Sequence, residues 1–215
     1  MKKIAIIGCG GINSWFIQHL KEITKLFDKD KLIYIKLFDN DVVEEKNLLR
    51  SNQNFKVEDI MQEKAKVLGD RYSVDYENVL ITKENLTLLE TFDDIILGVD
   101  NNKTRQLIYE YALNNRKYLL DLRAQGTQIA FYVLDLNKTM ENYNKEMFNN
   151  KEVLERKGSC QLTEDVQNDH IENGNKIIAF MGAYGLFLKH LRAEKLTTND
   201  WRFVYWNEKF YQWLL

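Results

Sequence analysis

A glycine-rich turn between an apolar strand and a helix limits the fold of this chain more than any other feature. The turn, Gly8–Asn13 (GCGGIN), follows an apolar run over Lys3–Gly8 and opens a helical pattern from about Ile12 to Phe27. Glycine permits positive φ angles and lacks the Cβ atom that would keep backbone N–H groups away from a phosphate or a ribose. The sequence therefore predicts a nucleotide-binding turn. NAD, FAD or ATP would all satisfy it, through the three glycines Gly8, Gly10 and Gly11.

Beyond the turn, strand and helix patterns alternate through the first 120 residues. We predict, in order, strand Leu32–Phe38, helix Val57–Tyr72, strands Val79–Thr82 and Asp94–Val99, helix Asn102–Asn115 and strand Tyr118–Leu122. This alternation favours the α/β class and a Rossmann-like, doubly wound, mostly parallel sheet.

The last third of the sequence has a different pattern. The pattern predicts a strand over Gln128–Leu134, a polar loop or lid with one exposed helix over Asn137–Lys157, an apolar helix over Asn173–Leu191 and an aromatic tail over Trp201–Leu215. The tail predicts antiparallel strands or an interface. We expect a single domain over residues 1–215, with a nucleotide-binding core over 1–134 and a lid-like loop, C-terminal helix and antiparallel extension over 135–215.

Composition narrows the class of protein. The net charge of −2 gives no bulk attraction to nucleic acid or to anionic membranes. The longest apolar run, Ile177–Leu188, is much shorter than the ~20 residues that a membrane span needs. Two cysteines, Cys9 and Cys160, exclude a four-cysteine zinc site and disfavour a secreted disulfide scaffold. We expect a cytoplasmic protein with neither a nucleic acid nor a membrane partner, in which Cys9 has no chemical role.

A second motif begins where the second predicted strand ends. Asp39 stands at a position where an acidic side chain can accept hydrogen bonds from ribose hydroxyls. It opens the segment Asp39–Arg50 (DNDVVEEKNLLR), which resembles the signature of the ThiF and ubiquitin-activating-enzyme family. That signature has an Asp-x-Asp pair, then Val-Glu, then Asn-Leu-x-Arg.

Two further elements follow in the order of the same family. Lys64 lies on the predicted helix after the signature, and Asp100-Asn101 ends a predicted strand five residues before Arg105. A dehydrogenase needs no cation after its ribose acid. An adenylyltransferase does, because its transition state spreads negative charge over the α-phosphate and the departing pyrophosphate.

The resemblance implies an ATP-dependent adenylyltransferase that converts a carboxylate into an acyl adenylate and releases pyrophosphate, with ATP and Mg²⁺ as cofactors. It implies that the carboxylate is the C-terminus of a ubiquitin-like protein, a sulfur-carrier protein or a peptide, and that the enzyme is a homodimer. The implied roles are Asp39 on the ribose, Asn47 and Arg50 near the phosphates, Lys64 on the triphosphate and Asp100 on Mg²⁺. Further implied nucleotide contacts are Asn13, Asp41 and Asn101.

Cys160 lies in a predicted loop where members of this family that pass the acyl group on carry a cysteine. A thiolate there would attack the acyl adenylate, and a structural role is the alternative. Two other functions stay open. One is an NAD(P)-dependent oxidoreductase that uses the same turn and Asp39. The other is a non-catalytic nucleotide-binding scaffold, which Asn13 and Ser51 favour, because the family usually has glycine and glutamine there.

Overall fold

The structure is a computed structural model that describes residues 1–26, 33–48, 52–125, 128–148, 174–191, 201–206 and 209–214. Its strands are β1 (Lys2–Ile7), β2 (Ile33–Phe38), β3 (Asp75–Glu77), β4 (Asp94–Leu97), β5 (Tyr118–Gln125), β6 (Gln128–Val133), β7 (Trp201–Trp206) and β8 (Lys209–Leu214). Its α-helices are α1 (Asn13–Leu26), α2 (Lys64–Tyr72), α3 (Asn102–Asn114), α4 (Met140–Tyr143) and α5 (Gly174–Leu191). Short 3₁₀ segments lie at Glu45–Asn47, Val57–Asp59 and Lys83–Leu89.

Six strands form one sheet in the order β3-β2-β1-β4-β5-β6, and β7 pairs with β8 in a separate antiparallel sheet. Neighbours in the six-stranded sheet run parallel, except for the antiparallel pair β5 and β6. The strand order reverses between β1 and β4, and such a reversal opens a crevice at the carboxyl edge of the sheet. The predicted Rossmann-like sheet, with a C-terminal helix and an antiparallel extension, is confirmed.

Two hydrophobic layers cover the sheet, because its central strands are apolar on both faces. On β1, Ile4 and Ile6 pack into the layer to which α1, α2 and α5 contribute. Ala5 and Ile7 alternate with them and pack into the opposite layer, to which α3 and α4 contribute. The connections that follow β1 and β4 therefore leave on opposite faces and leave the crevice open.

The predicted helix Val57–Tyr72 is wrong in its first half. Met61 has a φ of 68°, outside the helical region, and α2 begins only at Lys64. The cause is tertiary pairing. The N–H of Met61 donates to the carbonyl of Val43, and the N–H of Val43 donates to that of Gln62, each at 2.8 Å. This stretch therefore runs beside the segment that follows β2 before the helix starts.

The predicted strand Val79–Thr82 is also wrong. The third strand is β3, which pairs in parallel with Lys36–Phe38 of β2. α2 ends at Ser73 in the left-handed conformation, with a φ of 52°, so the chain returns to the sheet within two residues. The strand therefore forms earlier than the apolar pattern indicates, and Val79 and its neighbours are free to line the cleft at the carboxyl edge.

The predicted lid, Asn137–Lys157, is described only in its first part. That part holds α4 and a π-helical turn, so it contains a helix, as predicted, but this helix is not wholly exposed. Tyr143 and Phe148 are buried edge to face against Tyr109 of α3, with ring centroids 5.1 and 5.4 Å away. The rest of the segment lies outside the described residues. Within the described residues, no helix has both the length and the apolar character needed to cross a membrane.

Candidate nucleotide-binding site

A cleft of about 500 Å³ opens at the carboxyl edge of the sheet, where the strand order reverses. Four segments form most of its wall: the glycine turn, the segment after β2, the start of α2 and the loop after β4. The sequence-predicted residues that line it are Gly8, Gly10, Gly11, Asp39, Asp41, Asn47, Lys64, Asp100 and Asn101. The fold thus brings together residues that lie up to 93 positions apart in the chain.

The glycine turn holds the carboxylate of Asp39 at the floor of this cleft. The N–H of Cys9 donates to Oδ2 at 2.5 Å, and the N–H of Asp41 donates to Oδ1 at 2.7 Å. Burial raises the pKa of Asp39, an effect that these two donors and the charge of Lys64 partly offset. Each carboxylate oxygen keeps acceptor capacity beyond its backbone donor, so the group is able to accept hydrogen bonds from a ribose.

Asn13 braces the turn from beneath. Its side chain is almost completely buried, and its Nδ2 donates to the carbonyls of Ile7 at 3.1 Å and Gly8 at 2.8 Å. A Cβ on Gly98 would lie 2.5 Å from the same Nδ2, so the end of β4 approaches the turn closely. The side chain therefore ties the start of α1 to the end of β1, and its contact with a nucleotide stays a prediction.

Backbone pairing fixes Lys64 beside the signature segment. The N–H of Lys64 donates to the carbonyl of Asp41 at 2.9 Å, and its Nζ contacts Oδ2 of Asp41 at 3.0 Å. The Lys64 side chain is 9% exposed, whereas that of Asp41 is 63% exposed. Lys64 is also the first residue of α2, where the partial positive charge of the helix N-terminus lies. Lys64 and this helix N-terminus therefore offer hydrogen-bond donors to an anion in the cleft.

Asn47 lies in the 3₁₀ turn Glu45–Asn47 and is buried. Its Oδ1 accepts the N–H of Glu44 at 2.8 Å, which fixes the orientation of the side chain. Its amide group has two N–H donors, which a phosphate oxygen could accept. Arg50, the other predicted phosphate contact of this segment, lies outside the described residues, as does Cys160.

The loop after β4 supplies an exposed carboxylate, that of Asp100. Asn101 caps α3, because its Oδ1 accepts the N–H of Thr104 at 2.8 Å. Arg105 is buried, donates to the carbonyl of Val99 and lies 3.8 Å from the carboxylate of Asp121. It therefore supports the wall of the cleft from behind and does not line it.

A magnesium ion would find few protein ligands here. Among the described residues, no three His, Cys, Asp or Glu side chains group closely enough to hold a metal ion. Mg²⁺ keeps several waters and commonly binds through one or two carboxylates together with substrate phosphates. The exposed carboxylate of Asp100 fits that mode. The nucleotide phosphates and water would then supply most of the ligands of the ion.

The structure adds cleft residues that the sequence did not predict. Apolar side chains suited to a flat base line one part of it: Ile7, Phe38, Val79, Leu80, Ile81 and Val99. Side-chain amides of Asn52, Gln53 and Asn175 line another part. Asn175 donates to Oδ1 of Asn52 at 2.6 Å and lies so close to Gly11 that a Cβ there would be 2.5 Å from its Nδ2. No local spacing signals a pair 123 residues apart.

The ThiF family model matches residues 1–189 of this sequence. No curated protein matches the sequence of this chain. Among solved structures, E. coli MccB with AMPCPP and selenomethionine MccA is similar, with a TM-score of 0.71 at 16% identity over 99% of this chain and 63% of that one. E. coli MccB with ATP has a TM-score of 0.70 at 18% identity, again over 99% and 63%.

PaaA is a second similar protein, with a TM-score of 0.68 at 17% identity over 100% of this chain and 73% of that one. At these identities the likeness establishes the fold alone. The present chain spans less than two thirds of the length of the MccB chains that it matches.

Proposed function

Because this chain belongs to the ThiF family, we propose that it is an ATP-dependent adenylyltransferase that converts a carboxylate into an acyl adenylate. One observation carries the proposal. A buried lysine, Lys64, lines the same cleft as the glycine turn and Asp39. A cation next to a ribose-binding acid can stabilise the charge that develops during transfer at a phosphate, a role that hydride transfer does not require.

In the proposed reaction, a carboxylate oxygen attacks the α-phosphorus of ATP. The bond from that phosphorus to the oxygen it shares with the β-phosphate breaks, and pyrophosphate leaves with the electron pair, so no proton is transferred. Asp39 would hold the ribose, and Lys64 with the N-terminus of α2 would stabilise charge that develops on the phosphates. Mg²⁺ held with ATP beside Asp100 would neutralise part of the same charge.

The proposed carboxylate is the C-terminus of a peptide, a ubiquitin-like protein or a sulfur-carrier protein. Membership of the ThiF family and the similarity to MccB, which has been solved with MccA, support this substrate class. Onward transfer of the acyl group to Cys160, assembly as a homodimer and a cytoplasmic location are further parts of the proposal. Sedimentation of the purified chain tests the proposed dimer. A monomer at micromolar concentration would contradict it.

ATP–pyrophosphate exchange in the presence of candidate C-termini tests the proposal directly. Lys64→Ala should lower the exchange rate by about 100-fold or more. Lys66→Ala is the matched control, because Lys66 lies on the same helix, is exposed and pairs with Asp70 at 2.6 Å. Equal rates in both variants and the wild type would contradict the role of Lys64. A larger thermal shift with NAD than with Mg·ATP would instead favour an oxidoreductase.

A further inference from the structure

Three segments meet at the end of the cleft above the start of α1. The carbonyl of Asn52 accepts hydrogen bonds from Nε1 of Trp15 at 3.2 Å and from Nδ2 of Asn175 at 3.3 Å. Nζ of Lys176 lies 4.6 Å from the centre of the Trp15 ring, which fixes the first turn of α5 against α1. The N-termini of two long helices, α1 and α5, therefore meet at this end of the cleft.

Asn175 carries a buried acceptor that none of the described residues satisfies. The residue is 4% exposed and lines the cleft. Its Nδ2 faces two oxygens of Asn52, a contact that only the amide nitrogen could make, so the opposite atom is the oxygen Oδ1. Oδ1 is buried and receives no hydrogen bond from any described residue, and the same holds for Oε1 of Gln53, which also lines the cleft.

The phosphates of a nucleotide cannot satisfy these two oxygens directly. The N-termini of α1 and α5 favour phosphates at this end, yet phosphate oxygens are acceptors, as are Oδ1 and Oε1. A water molecule between the amide oxygens and the phosphates would donate to both. A nucleotide brings such donors with it, because Mg²⁺ bound to phosphates retains several water molecules.

We propose that Asn175, together with Gln53, accepts hydrogen bonds from water on the divalent cation of a bound Mg·nucleotide. The inference rests on the proposed function, since it assumes that ATP occupies the cleft. It makes Asn175 a positioning residue that orients the hydrated cation. Asp100 keeps its proposed direct role at the cation.

The test is nucleotide binding by the full chain, measured by calorimetry with α,β-methylene ATP, which cannot release pyrophosphate. Each protein is titrated once with Mg²⁺ and once with EDTA. The Mg²⁺ effect is the ratio of the nucleotide affinity with Mg²⁺ to the affinity in EDTA. Asn175→Leu and Gln53→Leu should each reduce this ratio by about 5- to 10-fold, while the affinity in EDTA stays within about twofold of wild type. Asn175→Asp keeps the acceptor oxygen but loses the donor to Asn52, and it should retain the Mg²⁺ effect.

Three outcomes would overturn the inference. Equal losses in Asn175→Leu with and without Mg²⁺ would make Asn175 a brace that acts only through Asn52, and Asn175→Asp would then fail as well. An unchanged Mg²⁺ effect with weaker binding of a peptide C-terminus would identify a substrate N–H as the donor. A wild-type chain that binds neither form of the nucleotide would contradict the proposed function itself, and the inference with it. Gln53→Leu decides the matter if Asn175→Leu fails to fold, because Gln53 is only half-buried.

Discussion

Replacing Asp41 with asparagine should measurably destabilise the fold, because it removes the charge that faces Lys64. The two charged groups are 3.0 Å apart. At that distance the attraction is about 1.4 kcal/mol in bulk water and about 5.5 kcal/mol at an effective dielectric constant of about 20. Asp41 is 63% exposed, which puts the pair near the lower limit, and asparagine keeps an oxygen that can accept from Lys64. We expect a loss of about 1 to 1.5 kcal/mol in the free energy of unfolding.

Urea denaturation at pH 7 measures this loss, and a fall in Tm of about 3 to 5 °C should accompany it in a chain of this length. Asp70→Asn is the control, because Asp70 pairs with Lys66 at 2.6 Å on the exposed surface of the same helix. That variant should change stability little, since the pair is solvated. A loss in Asp41→Asn no larger than in Asp70→Asn would refute the reasoning, because the burial of Lys64 would then have no energetic consequence.

Three further predictions concern the glycine turn, Asp39 and Cys160. Gly11→Ala should lower Tm, because its Cβ would lie 2.5 Å from Nδ2 of Asn175, whereas Gly10→Ala, with nothing within 4 Å, should leave Tm unchanged; equal Tm values would contradict this. Burial raises the pKa of Asp39, so the folded chain binds its proton more tightly than the unfolded chain does. The stability of wild type relative to Asp39→Asn should therefore be greatest below the ordinary pKa of 3.8 and should decline as pH rises through the raised pKa of the folded chain. Urea titrations in which this difference increases with pH would disprove the prediction. Cys160→Ala should leave pyrophosphate exchange intact but abolish any thiol-sensitive adduct with an adenylated substrate. Loss of exchange in this variant would contradict a purely covalent role of Cys160.

The elements that follow from local pattern could be predicted from the sequence. The glycine turn, β2 and the helix that became α5 each depend on a run of apolar residues or on glycines within a few positions. Lys64 was placed on a helix correctly, but its position at the first turn was not predicted. Its position depends on the left-handed Met61, and that conformation arises from pairing with Val43, 18 residues earlier. Tertiary pairing of this kind leaves no local signal.

The polar contacts that complete the site were the least predictable. The spacing of Arg105 from Asp100 is the same whether its side chain faces the phosphates or lies behind the wall of the cleft. Burial beside Asp121 places it behind the wall. Asn175 and Asn52 are ordinary polar residues in sequence, and only the approach of α5 to α1 brings their side chains within 2.6 Å. Sequence pattern predicts which edge of the sheet holds a site, and long-range packing decides which side chains line it.

Labelling of Cys9 can report local opening of the glycine turn. Its side chain is fully buried, and burial, followed by the charge of Asp39, raises its thiol pKa well above the ordinary value. Alkylating reagents require both access and a thiolate, so modification of Cys9 must wait until the glycine turn separates from β2. Mass spectrometry distinguishes Cys9 from Cys160, and the slow phase in which Cys9 is labelled would measure how often the turn opens. A ligand seated on the turn should lengthen that phase, so occupancy of the cleft could be followed by mass spectrometry without any engineered probe.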